Sequence, residues 1–330
     1  MILILSVDKD DSTNQVIDWI NALGKDFYRI NGDELLDHNF VIKIDTNEPK
    51  TIFSFSNVLV PKKLIKSKYY KVVWFRRWAT PHNFVHNFKP FSLKNQITQY
   101  CQRESNGLSN IFYQSLKHCD WLNHPSELEI NKLSVLEEAK KVGLIIPNTL
   151  VCSTKTELIA FKKSNGRIIS KSIRDPVFFN TGGNVYSIYT YEIQDEDIEV
   201  INDFFFPSLF QELIEKEYEL RIFYLDKVFY SMAIFSQANT QTKVDFRHYD
   251  HVKPNRRVPY LLPKSIQKKL IELMKILNMS CGSIDMIKKN DGDYVFLEVN
   301  PVGQFGMVSF PCNYFLEKKV SESLIKRYEK

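Results

Sequence analysis

Three stretches make this chain an α/β protein that turns α+β in its C-terminal half. Met1 to Ile30 runs apolar, amphipathic, apolar, the βαβ opening of a doubly wound domain. Leu220–Leu225 and Val228–Phe235 flank an Asp226-Lys227 turn, and Cys281–Pro301 holds two more apolar-rich runs around Asp291-Gly292. The later sheet is therefore expected to be mostly antiparallel. At 330 residues the chain exceeds what one hydrophobic core usually serves, so two or three domains are expected.

The first strand, Met1 to Val7, leads through Asp8-Lys9-Asp10-Asp11 to a helix capped by Ser12 or Thr13. Its inward face is Val16, Ile17, Ile20 and Leu23, and Gly24 closes it. The loop lacks glycine and carries negative charge, which repels phosphate and excludes a dinucleotide site there. Strands are expected at Phe27–Ile30, Val41–Asp45, Thr51–Phe55 and Lys71–Trp78, with Arg76 and Arg77 on opposite faces of the last. Ser92 to Trp121 reads as helix interrupted near Gly107. Asn131-Lys132-Leu133 opens a helix closed by Gly143, and Ile145–Val151 is the strand it feeds. A helix over Lys155–Lys163 is followed by the strand Arg167–Ile173, and Lys171 inside it either snorkels or meets an anion. Thr181-Gly182-Gly183-Asn184 is either a simple turn or a loop that lays N–H groups over phosphate. Phe204–Ile214 is a buried strand or interdomain connector. Ser236–Arg257 is a long polar stretch, of the kind that is usually functional or mobile, and Arg247 is its candidate anion contact. Pro263–Leu277 is an amphipathic helix, apolar at Ile266, Leu270, Leu273, Ile276 and Leu277, that packs on the last hairpin.

That hairpin carries the chemistry. A two-residue type I′ turn at Asp291-Gly292 pairs Asn290 with Asp293, which sets Asp285 opposite Glu298 and Ser283 opposite Asn300. Asp285, Glu298 and Asn300 then share one face, and Ile284, Met286, Val295, Leu297 and Val299 the other. Carboxylates facing each other across a ladder repel unless a cation joins them. An all-oxygen Asp/Glu/Asn set suits Mg²⁺, which completes its shell with water and phosphate oxygens, so a nucleotide is the expected third party. The alternative is a solvated acidic edge.

Composition excludes several classes. Net charge is +5 with no basic block, so nothing marks a nucleic-acid stripe. The five cysteines (Cys101, Cys119, Cys152, Cys281, Cys312) are scattered without a C-x-x-C pair, as in reduced cytosolic proteins without zinc. No apolar run reaches membrane-spanning length and the start is too short for a signal peptide, so a cytoplasmic protein is expected.

A lysine opening a helix (Lys132), a strand lysine (Lys171), a small Gly loop, Gln211-Glu212-Leu213-Ile214, Glu219-Leu220-Arg221 and the Asp285…Glu298-x-Asn300 hairpin follow one another in an order that resembles the ATP-grasp ligases. Val72-Val-Trp-Phe-Arg-Arg77, Leu144–Leu150 and Ser236-Gln237…Asp245-Phe-Arg247 look like those of the graspetide, or microviridin-type, peptide maturases, and ribosomal-protein glutamate ligases share the Phe-Arg. The resemblance implies an ATP-grasp fold behind a Rossmann-like pre-ATP-grasp domain, divided 1–120, 121–208 and 209–330. By the same resemblance Lys132 and Lys171 hold phosphates, Thr181, Gly182 and Gly183 cover them, and backbone groups at Glu212, Leu213 and Ile214 read adenine. Glu219 takes the ribose hydroxyls, and Arg221 and Arg247 face the transferred phosphoryl group. The implied cofactors are ATP and Mg²⁺, with Mg²⁺ held by Asp285, Glu298 and Asn300. The implied partner is a leader-core precursor peptide whose Asp/Glu side chains are joined to Ser, Thr or Lys, and the implied assembly is a homodimer. The rivals are a ligase adding free amino acids to a peptide or protein, and a non-catalytic peptide-binding module.

Overall fold

The chain opens on a parallel sheet, whose first strand is an unbroken buried run of the kind such sheets cover on both faces. In the computed structural model β1 (Ile2–Ser6), α1 (Asp11–Ala22) and β2 (Phe27–Asn31) make the expected βαβ unit. The described residues are 1–32, 40–45, 52–57, 65–78, 91–174, 178–181, 184–187, 190–237 and 254–330. They divide into two units, Met1–Pro125 with Phe315–Lys330, and Ser126–Tyr314.

In the first unit an antiparallel group of β3 (Phe40–Asp45), β4 (Ile52–Asn57) and β5 (Ile65–Lys66) follows β2. Then β6 (Val72–Phe75), α2 (Lys94–Ser115) and β7 (Asp120–Leu122) complete a parallel sheet in the order β2-β1-β6-β7. Several expectations change here. Asp10, not Ser12 or Thr13, caps α1, its Oδ1 accepting the Thr13 N–H at 3.3 Å. Gly107 does not interrupt α2, which runs unbroken through it, and Trp121 belongs to β7. The strand β6 ends at Phe75, so alternation no longer governs the two arginines beyond it. Both turn to the same carboxylate, Arg76 Nε and Arg77 Nε lying 3.6 and 3.7 Å from Asp10 Oδ2.

The second unit opens with α3 (Lys132–Lys141), β8 (Thr149–Thr154), α4 (Lys155–Asn165) and β9 (Ile168–Lys171). A hairpin β10 (Phe178–Thr181)–β11 (Asn184–Ser187), then β12 (Tyr191–Glu192), α5 (Asp195–Val200) and β13 (Phe204–Glu212) follow, giving a sheet in the order β12-β9-β13-β8. The strand expected over Ile145–Val151 begins only after Pro147. Ile145 instead makes one bridge, its carbonyl accepting the Phe296 N–H at 2.8 Å.

The rest of this unit is β14 (Tyr218–Leu225), β15 (Val228–Phe235), β16 (Arg256–Tyr260), α6 (Lys264–Ile276), β17 (Cys281–Lys288), β18 (Tyr294–Asn300) and α7 (Gly306–Cys312). Its sheet is antiparallel throughout, in the order β16-β15-β14-β17-β18. One face carries Leu220, Ile222, Tyr224, Ile284, Met286, Phe296 and Val299, packed with Leu270, Leu273 and Met274 of α6 and Val135, Leu136 and Ala139 of α3 in one core. Ile276, expected inward, is exposed.

The final helix, α8 (Leu316–Tyr328), groups with the first unit, where Ser321 Oγ donates to the Val16 carbonyl at 3.0 Å and Arg327 pairs with Asp120 at 2.6 Å. Among the described residues no helix is long and apolar enough to cross a membrane.

All five cysteines are free thiols, four buried and Cys101 part-exposed. Burial pushes the Cys119 thiol up to about 12. The thiolate is the attacking species, so at pH 8 only roughly one Cys119 in ten thousand is reactive. Iodoacetamide is expected to label Cys101 first and to leave Cys119 unmodified until the protein unfolds, as peptide mass mapping would show.

Candidate active site

The acid pair is opposed as expected, though by a different route. Lys289 N donates to Asp293 O at 2.9 Å and Gly292 N to Lys289 O at 3.1 Å, which leaves Asn290-Asp291-Gly292 as a three-residue turn in place of the two-residue one. Gly292 sits at φ +101, where an L side chain is strained. Gly292→Ala is expected to cost about 1–2 kcal/mol, read from the urea midpoint. Three-residue turns shift the pairing by one, and a bulge takes the shift back: Met286 pairs with Phe296 but Asp285 with Glu298, so Leu297 is the extra residue. Phe296, not Val295 or Leu297, therefore joins Met286 on the core face.

A row of charge runs across three strands. Arg221 of β14 lies opposite Asp285 of β17, which lies opposite Glu298 of β18. Each carboxylate has its own cation. Arg221 Nη1 bonds Asp285 Oδ2, with side chains only 8% and 16% exposed. Lys132 Nζ is 3.4 Å from Glu298 Oε2 and donates to the Arg174 carbonyl at 3.1 Å. Lys132 is the first residue of α3, whose N-terminus Asn131 caps by accepting from Leu133 N at 2.9 Å. A cation there opposes the helix dipole. Glu298 and the carbonyl offset that cost, and the lysine and helix end together present positive charge beside the acids.

Glu219 lies on the same face two residues before Arg221. Its Oε1 accepts from Lys216 Nζ at 2.5 Å and Ser236 Oγ at 2.8 Å. Asn300, two residues beyond Glu298, turns its Oδ1 to the Val302 N–H at 3.1 Å. In the neighbouring sheet Lys171 ends β9 opposite Leu209. At the end of β13 the Glu212 N–H bonds the Asn148 carbonyl and the Leu213 N–H the Arg167 carbonyl, both at 2.9 Å. Those two N–H groups are engaged, so Ile214 and the carbonyls remain as the candidate backbone contacts. Thr181 pairs with Asn184 at the end of the β10–β11 hairpin. Gly182, Gly183 and Arg247 lie outside the described residues. Lys216 was missed in the sequence because it sits in a glutamate-rich loop, Glu215-Lys216-Glu217, that reads as solvated surface.

The donors fit a hard divalent cation: two carboxylates and an amide oxygen on adjoining strands, without sulfur or imidazole. Among the described residues no cluster of three or more His, Cys, Asp or Glu forms a protein cage. Mg²⁺ needs none, since it usually takes one or two carboxylates together with water and phosphate oxygens.

Antiparallel β14–β17–β18 with acids in register, beside a lysine-led helix and following a parallel-sheet unit in the sequence, define an ATP-grasp ligase fold. Residues 1–129 match the model of the MvdD pre-ATP grasp domain. The macrocyclase MdnC of Microcystis aeruginosa MRC, solved with precursor peptide MdnA, is similar over 98% of this chain and 99% of its own, with 25% identity and a TM-score of 0.82. MdnB of the same organism matches at 25% identity and TM-score 0.74 over 98% of each chain. A Chryseobacterium gregarium RiPP-associated ATP-grasp ligase, solved with ADP and a leader and core peptide, matches at 24% identity and TM-score 0.81 over 98% of this chain and 94% of its own. The uncharacterized protein MJ0776 of Methanocaldococcus jannaschii is 26% identical over 172 residues, a span that covers 52% of this chain and 40% of that relative. The match over residues 1–129 and the full-length likeness to the macrocyclases support a graspetide-type ATP-grasp ligase.

Proposed function

We propose that the chain is an ATP- and Mg²⁺-dependent, ADP-forming ligase that cyclises a ribosomally made precursor peptide by joining Asp or Glu side chains to Ser, Thr or Lys side chains. The observation that carries this is the Arg221–Asp285–Glu298–Lys132 row, a charge-balanced set whose acids and cations would exchange their ion pairs for a divalent cation and phosphates on nucleotide binding. That a macrocyclase of the same full-length fold is solved with a precursor peptide supports the substrate class.

A carboxylate is a poor acyl donor, because oxide would have to leave. In the first step a substrate carboxylate oxygen attacks the γ-phosphorus of ATP; the bond to the β-bridging oxygen breaks, and ADP departs. In the second the acceptor hydroxyl or amine attacks the acyl carbon, its proton passing to solvent or base, and phosphate leaves. The peptide loses one water per ring. Asp285, Glu298 and Asn300 would hold Mg²⁺, which when bound supplies charge neutralisation at the phosphate oxygens. The chain's own residues position and neutralise. Lys132, released from Glu298, and Lys171 take phosphate oxygens; Arg221 faces the phosphoryl group in transfer; Ile214 and its neighbours receive the adenine and Glu219 the ribose. Thr181 with the Gly182-Gly183 loop, and Arg247, complete the set on the family's pattern. The division at 120 and 208, a homodimeric assembly and a cytoplasmic location are part of the same proposal.

Incubation with ATP, Mg²⁺ and a candidate precursor peptide rich in Asp/Glu and Ser/Thr is expected to release ADP and lower the peptide mass by one water per ring. With free amino acids added to the same incubation, a gain of amino-acid mass would favour the intermolecular ligase instead; absence of ATP binding by the chain would favour the binding module. Lys132→Met is expected to weaken Mg·ADP binding about tenfold, the loss of one charge-assisted contact, measurable by calorimetry.

A further inference from the structure

Two residues converge on one oxygen of Glu219. Lys216 Nζ and Ser236 Oγ both donate to Oε1, at 2.5 and 2.8 Å, and both come from outside β14: Lys216 from the loop before it, Ser236 from just past β15. The register explains the meeting. Glu219 lies opposite Ile234, so Ser236 is the next side chain along on the same face of the sheet. The Lys216 and Glu219 side chains are 7% and 10% exposed, and Ser236 is fully buried. Burying a lysine–carboxylate pair contributes little to stability relative to apolar packing, so stability alone does not account for it. Geometry does: two donors on Oε1 stop the carboxylate from turning about its last bond, and its other oxygen is held in one direction.

We infer that Lys216 and Ser236 are positioning residues that aim Glu219 at the nucleotide's ribose hydroxyls, and so set the preference for a ribose diol. This rests on the reading of Glu219 as the ribose contact. A carboxylate locked before binding gives up no orientational freedom on meeting the diol, whereas a rotating one must. Selectivity against a sugar lacking the hydroxyls should therefore depend on Lys216 and Ser236, although neither touches the sugar.

Calorimetric titration with ADP and with 2′,3′-dideoxy-ADP, both with Mg²⁺, separates the possibilities. Wild type is expected to prefer ADP by about tenfold or more, the worth of a hydrogen bond to a charged group. Glu219→Gln should remove most of the preference. Lys216→Met and Ser236→Ala should each lower it about three- to tenfold, with dideoxy-ADP affinity little changed, and Lys216→Arg should restore most of it. Ser236→Ala and Lys216→Arg keep the ion pair, so they carry the test should Lys216→Met fail to fold. If Glu219→Gln removes the preference while Ser236→Ala and Lys216→Met keep it whole, the positioning role is wrong and the ribose reading stands. If wild type shows no preference, or Glu219→Gln leaves it unchanged, the ribose reading itself is wrong.

Discussion

Glu298→Gln should lower ADP formation by at least about 10²–10³-fold, the scale of losing one group that stabilises developing charge, while the unfolding midpoint stays nearly where it was. The two halves of this expectation have separate causes. The Glu298 and Lys132 side chains are each about one-fifth exposed and their contact is 3.4 Å long. Such a pair is worth about 0–1 kcal/mol, so replacing the carboxylate by an isosteric amide costs the fold little. The amide cannot neutralise a divalent cation as the carboxylate does. Measuring ADP release beside a urea melt reads both halves. Wild-type turnover in this variant would remove Glu298 from the metal set.

Arg221→Met should behave in the opposite way toward stability. Its guanidinium bonds Asp285 within the sheet, and both side chains are largely enclosed. Taking away one member leaves the Asp285 carboxylate buried beside Glu298 with its cation gone, a loss of about 3 kcal/mol or more. Arg221→Met combined with Asp285→Asn should regain much of that, because the stranded charge disappears with its partner. Neither variant should turn over substrate. The urea midpoints of the two singles and the double give the coupling directly. A double variant as unstable as the sum of the singles would mean that Arg221 is held by packing and not by Asp285.

These contrasts show which parts of the site local sequence rules can reach. The face carrying Asp285, Glu298 and Asn300 was legible because strand alternation separates acids from apolar residues over several positions. The opposition of Asp285 to Glu298 emerged from a two-residue turn that does not exist, and holds because a three-residue turn and the Leu297 bulge cancel. A bulge has no signature in an apolar run, so Phe296 could not be placed on the core face beforehand. The same limit applies to Arg76 and Arg77, where the end of a strand, invisible in Trp74-Phe75-Arg76-Arg77, changes which way side chains point. The return of α8 to the first unit is absent from the linear three-part division, since nothing in Leu316–Tyr328 names its distant partner, α1. Lys216 and Ser236 are separated by a whole hairpin, and only the register of β14 on β15 brings them to one carboxylate oxygen.

The most direct test is a crystal grown with Mn²⁺ in place of Mg²⁺ and a non-hydrolysable ATP analogue, read by its anomalous signal. The metal peak should fall between β17 and β18, bonded to Asp285 and Glu298, with the terminal phosphates on its far side and Lys132 turned from Glu298 onto them. A peak at another place, with the Arg221–Asp285 and Lys132–Glu298 pairs intact beneath a bound nucleotide, would contradict the account.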